Sequence, residues 1–92
     1  MYFIKLFIYM ICGGYSNEIQ HDDESLEIYN LIKDDVKYKV IRVISYKKQI
    51  VNGINYLLKI LIEDEKFLFV KVYKNFENNI ELLEQNIKDD FF

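Results

Sequence analysis

The 92-residue chain has no proline, no tryptophan, three glycines, one cysteine and one histidine. A lone cysteine, Cys12, excludes an internal disulfide, so the fold must hold by packing, which suits a reducing compartment. The lone histidine, His21, and Cys12 lack the supporting groups of a catalytic dyad. His21 followed by Asp22, Asp23 and Glu24 is no better as a metal site, because adjacent residues entering a helix point in different directions. No enzyme activity, cofactor or metal is expected. Lysines and acids alternate around a net charge of -3 without a basic stripe, so the footprint of a nucleic-acid binder is missing. No apolar run is long enough to span a bilayer as a helix, and no membrane partner is expected. What remains is a folded composition, 51% hydrophobic with eight Tyr and seven Phe, in a length that supports one core.

Met1 to Ile11 is apolar apart from Lys5. Three readings stay open. It is a signal-like segment, with Cys12-Gly13-Gly14 as a loose cleavage match and secretion as the consequence. It is an upstream segment, residues 1–9, before a domain that starts at Met10 and spans 10–92. Or it is an apolar strand added to a sheet edge.

The first periodic element is helical. Leu26, Tyr29, Ile32 and Val36 recur at three- and four-residue spacing, Ile28 and Leu31 widen the face, and Glu27, Asn30, Lys33 and Asp34 take the other side. Asp22 is placed to cap the first turn, with Asp23 and Glu24 favoured by the helix dipole. The helix is expected to start near Asp22 and run about 14 residues, roughly 21 Å.

From Val40 onward the pattern is β: 40–48, 54–62, 67–74 and, more weakly, 80–87 are rich in β-branched and aromatic residues. Tyr56, Leu58, Ile60 and Ile62 alternate with Asn55, Leu57, Lys59 and Leu61, as in a sheet covered on one side. Asn52-Gly53 signals a tight hairpin because both residues tolerate positive φ. The expected fold is α+β, one helix packed across a four- to five-stranded antiparallel meander. In such a meander the turns at 49–53 and 75–79 leave one edge and 63–66 the other. The first edge carries Ile50, Val51 and Phe76; the second is Glu63-Asp64-Glu65-Lys66. Apolar groups gathered at one end mark a contact surface.

Gln49-x-Val51-x-Gly53 within Tyr46 to Ile60, preceded by Met10-Ile11-Cys12-Gly13-Gly14-Tyr15-Ser16 and followed by Lys71-Val72-Tyr73 and Lys88-Asp89-Asp90, resembles the stefin-type cystatins. The resemblance implies the cystatin-like fold and reversible, competitive inhibition of papain-like cysteine proteases, cathepsin-like enzymes included. It assigns a protease-binding wedge to Met10, Ile11, Cys12, Gly13 and Gly14, to Gln49, Ile50, Val51, Asn52 and Gly53, and to Asn75, Phe76 and Glu77. It also implies a cytoplasmic monomer, with exchange of hairpins between two chains as the route to a dimer. On this reading a side chain placed at 53 would point toward the enzyme.

The sequence departs from the stefin pattern where Phe76-Glu77 replaces the usual Leu-Pro, losing a rigid residue and adding a charge. Two other classes compete. One is an interaction module of the same fold without inhibitory activity; the other is a small-molecule carrier whose cavity is lined by Tyr29, Tyr56, Phe67 and Phe69.

Overall fold

In the computed structural model, which describes residues 14–88, Asp22 opens helix α1 (Asp23–Ile32). Its carboxylate accepts from the Ser25 amide at 3.1 Å, and the Ser25 hydroxyl accepts from the Asp22 amide at 2.9 Å. This capping box satisfies donors that the first turn leaves orphaned. His21 belongs to the same knot, its Nδ1 lying 2.6 Å from Ser25 Oγ.

The α-helical part is shorter than its periodicity implies. It ends at Ile32 and tightens into a 3-10 turn, Lys33–Asp35. Gln85, from a distant strand, holds that end: its amide donates to the Asp35 carbonyl at 2.8 Å, and its carbonyl accepts from the Lys37 amide at 3.0 Å. The buried line is Ser25, Ile28 and Ile32, whereas Leu26 and Leu31 stand at the surface. Asp22 and Glu24 accept from Tyr46 and Tyr56 on the sheet, which turns the helix away from the face that hydropathy alone selects.

Five antiparallel strands follow one another in space as in sequence: β1 (Ile19–Gln20), β2 (Val40–Val51), β3 (Gly53–Ile62), β4 (Lys66–Lys74) and β5 (Ile80–Lys88). The two-residue β1, too short to show a period, pairs Ile19 with Tyr46 and Gln20 with Ser45. An edge strand from residues 1–11 lies outside the described residues. On β3 the alternation is as expected, with Tyr56, Leu58, Ile60 and Ile62 buried. Their partners Val72, Val70 and Leu68 on β4 are buried too, and with Ile28 and Ile32 of α1 they form the core. The 3-10 turn Glu63–Glu65 reverses the chain through positive φ at Asp64 and Glu65.

A polar latch ties the helix to the sheet. Glu24 accepts from the Tyr56 hydroxyl at 2.7 Å and from Lys48 Nζ at 3.0 and 3.1 Å, and Tyr46 donates to Asp22 at 2.9 Å. Burial alone would raise the Glu24 carboxyl, but hydrogen bonds from Tyr56 and Lys48 and the Lys48 charge outweigh it and hold it below its usual range. The Ser25 amide, aided by the Tyr46 hydroxyl, lowers Asp22 in the same way. Both tyrosines are pushed well above the ordinary phenol, first by burial and then by the carboxylates they face. Among the described residues no buried side-chain nitrogen or oxygen lacks a partner.

The signs oppose each other. Lowered carboxyls stabilise at neutral pH, and that contribution is lost as pH falls from the ordinary carboxylate value of about 4 through the lower folded values. Raised phenols stabilise below about pH 10, and theirs is lost as pH climbs above it. Melting temperature against pH should therefore show a plateau between about 5 and 9 with a fall on each side. Glu24→Gln should lower the plateau and flatten the acid limb; an acid limb identical to the wild type would uncouple this carboxylate from folding.

Candidate functional site

The β2–β3 hairpin is paired to its last residue. Ile50 faces Ile54 and Val51 faces Gly53, which leaves Asn52 alone at the tip. Of Asn52 and Gly53, Gly53 is the one that takes positive φ, +111°, and the reversal is tight, with Asn52 between the paired Val51 and Gly53. Gly53 is also buried, and a Cβ built there would lie 2.5 Å from the Lys74 carbonyl oxygen and 2.9 Å from the Tyr73 ring. The expectation that a side chain at 53 points toward a partner is thereby corrected. Glycine is needed because the end of β4 lies close beside it.

Two side-chain contacts brace the tip. Asn55 Nδ2 donates to Gln49 Oε1 at 3.0 Å across the β2–β3 ladder, and the Tyr73 hydroxyl donates to the Asn52 backbone carbonyl. Ile50 remains 56% exposed and Val51 partly so.

The second loop, 75–79, is organised by one residue. Asn75 Oδ1 accepts from the amides of Glu77 and Asn79, both at 2.9 Å, while its backbone carbonyl accepts from the Asn78 amide at 3.0 Å. Asn78 takes φ 66°, which asparagine tolerates better than most residues. Phe76 rides on this frame 78% exposed, and Glu77 beside it is exposed as well. Between the loops lies a shallow cleft of about 180 Å³, lined by Gly53, Ile54, Lys74, Asn75, Phe76 and Asn78.

A third segment approaches along β2. The Ser16 amide donates to the Lys48 carbonyl at 2.7 Å, and the Lys48 amide returns a 3.0 Å bond to Ser16 Oγ. Followed back from Gln20 to Ser16, the chain thus lies antiparallel to β2 and leads toward the hairpin tip. Gly14 is exposed there, and a Cβ on it would meet open space. Met10, Ile11, Cys12 and Gly13 lie outside the described residues. The opposite end of the sheet is charged, with Glu63 to Lys66 exposed and Lys39 paired to Glu63 at 3.3 Å.

The sheet separates the four aromatic residues suggested as a cavity lining. Tyr56 faces the helix and bonds to Glu24, whereas Phe67 lies on the far face under Lys59, 4.6 Å from the ring centroid, and Phe69 shares that face. Among the described residues no group of three or more His, Cys, Asp or Glu side chains is arranged to hold a metal. Nor is any described helix long and apolar enough to cross a membrane.

The sequence reading placed Asn75 in the wedge without its role as the hub of the loop, and it missed Tyr73. Asn75 at the first position of a tight turn is a recognisable signal for a side chain that bonds amides ahead of it. Tyr73 carries no such local signal, since the carbonyl it reaches is 21 positions away.

Residues 17–89 match the family model described as the Cystatin domain. The chain is 35% identical over 71 residues to Cystatin-A of Felis catus, covering 71% of this chain and 72% of that protein. It is 33% identical over 89 residues to Cystatin-A3 of Dictyostelium discoideum, covering 85% and 94%. With Cystatin-B of Homo sapiens the identity is 31% over 72 residues, covering 72% and 74%.

The two glycines of this edge should respond differently to alanine. Gly53→Ala places a methyl group against Lys74 and Tyr73 at an unfavourable φ and should cost about 1–3 kcal/mol in urea unfolding. Gly14→Ala should leave the midpoint unchanged, and equal midpoints for the two variants would show that the hairpin relaxes around the added methyl.

Proposed function

This chain belongs to the cystatin family, and from that membership we propose that it inhibits papain-like cysteine proteases by reversible, competitive occlusion of the active-site cleft. Cystatins are protease inhibitors, not enzymes. The observation that carries the reading is the juxtaposition, at one sheet end, of the 49–53 hairpin, the 75–79 loop and the segment leading into Ser16. Ile50 and Phe76 offer apolar area at that end, where a protease cleft open at both sides would receive them.

In this proposal the wedge consists of Met10 to Gly14, Gln49 to Gly53, and Asn75 to Glu77. The residues do not have equal parts in it. Ile50, Val51 and Phe76 make contact, Met10 and Ile11 fill substrate subsites, and Gly13 and Gly14 let the backbone pass close to the enzyme. Gln49, Gly53 and Asn75 hold the shape. No bond of the inhibitor need be cut, because blocking access to the catalytic Cys and His of the enzyme suffices. An interface of ordinary size, about 1,600 Å² in total, supports tight binding. The same proposal places the action in the cytoplasm, as a monomer, by a domain spanning 10–92.

Purified protein titrated into papain and into a cathepsin-L-like enzyme should abolish activity, while trypsin is unaffected. Undiminished papain activity at micromolar inhibitor would defeat the proposal and favour a cystatin-fold interaction module.

A truncation series tests the first segment of the wedge. The chain from Met10 should inhibit at least as well as the full chain, since residues 1–9 add ordering cost. The chain from Tyr15 should lose about 2–4 kcal/mol of binding if Met10 or Ile11 is a buried anchor. Equal constants for the chains from Met10 and Tyr15 would remove the N-terminal segment from the wedge.

A further inference from the structure

We propose that Tyr73 is a positioning residue that locks the tip of the first hairpin to the base of the second loop, so that both loops meet a partner as one preformed surface. The inference rests on the inhibitory reading above.

At the tip of the hairpin Asn52 is the residue that the β2–β3 ladder leaves unpaired, between Val51 and Gly53. Its carbonyl accepts from the Tyr73 hydroxyl, which comes from the strand on the far side of β3. To arrive there the Tyr73 side chain passes over Gly53, where its ring and hydroxyl occupy the space a Cβ would need, within 2.9 Å. Gly53 and Tyr73 are thus interlocking parts: the missing side chain makes room for the ring, and the ring carries the hydroxyl to the tip.

The geometry reaches the second loop through two residues of chain. Beyond Tyr73 come Lys74, whose carbonyl also abuts Gly53, and Asn75, whose side chain closes the 75–79 loop with two amide bonds. The residue that holds one loop and the hub of the other therefore sit two positions apart, at the end of β4 and just beyond it. Displacing the first hairpin relative to Phe76 requires breaking the Tyr73–Asn52 bond. Without that bond the tip is free to pivot, and binding must order it again.

Tyr73→Phe keeps the ring over Gly53 and removes only the hydroxyl. Its inhibition constant against papain should rise about three- to tenfold, the range set by one hydrogen bond. Amide exchange should quicken more at Gly53 and at Phe76 to Asn78 than at Leu58 and Val70 in the core. The melting temperature should fall by about 3–10 °C, the same bond read as global stability. A merely structural tyrosine would instead loosen core and loops together. An unchanged inhibition constant with wild-type loop exchange overturns the proposal, and so does weaker inhibition accompanied by equal quickening at Leu58 and Val70. If the wild-type chain itself leaves papain active, the inhibitory reading fails. Exchange at Gly53 and at Phe76 to Asn78 then decides the clasp, faster exchange in Tyr73→Phe supporting it and wild-type exchange overturning it.

Discussion

The close approach of the Gly53 backbone to the end of β4 is the constraint on which the contact edge depends. A Cβ at 53 would collide with the Lys74 carbonyl and the Tyr73 ring, so β3 can begin beside β4 only because none is present. Through that contact the ladder stays closed to its last pair, Val51 with Gly53. The cleft between the loops and the exposure of Ile50 follow from the same packing. The glycine works as a backbone part: it gives up its own surface so that its neighbours can display theirs.

The opposite demand is met at the helix. Ten residues are too few for a helix to persist alone, and its buried apolar contribution is mainly Ile28 and Ile32. Asp22 and Glu24 supply the rest by accepting from Tyr46, Tyr56 and Lys48, all on the sheet. Such a network stabilises only while each member keeps its partner, since an abandoned hydroxyl or carboxylate pays its desolvation in full. Lys48 joins two tasks. Its ammonium holds Glu24, and its backbone holds Ser16, one residue before the Gln49 that begins the hairpin tip. Helix position and hairpin stem are consequently linked through a single residue.

The second loop illustrates a different route to rigidity. Phe76-Glu77 lacks the proline that the stefin pattern places there, yet Asn75 replaces fixed φ with hydrogen bonds, holding the loop from inside by accepting two amides. Such a frame leaves positions 76 and 77 free to vary. Here they present a large aromatic and a negative charge instead of an aliphatic residue and a ring.

Local rules were enough to read the helix cap at Asp22, the four longer strands, the three turns and the edge to which each turn belongs. Capping and alternation are settled by residues within a few positions of one another, and strand reversal in a meander is simple counting. The Gln49 to Gly53 motif and its surroundings were likewise enough to read the family. Other features were decided only when distant segments met. The helix turned Leu26 and Leu31 outward because Asp22 and Glu24 had to reach the tyrosines of the sheet; hydropathy cannot express a carboxylate's need for a partner. The two residues of β1 acquired strand character from Tyr46 and Ser45, having no period of their own. Gly53 was required because the end of β4 and the Tyr73 ring occupy the space beside it. Tyr73 found Asn52 because two antiparallel registers set them side by side, and a bond between residues that far apart in the chain depends on the summed geometry of three strands rather than on any pattern near either residue.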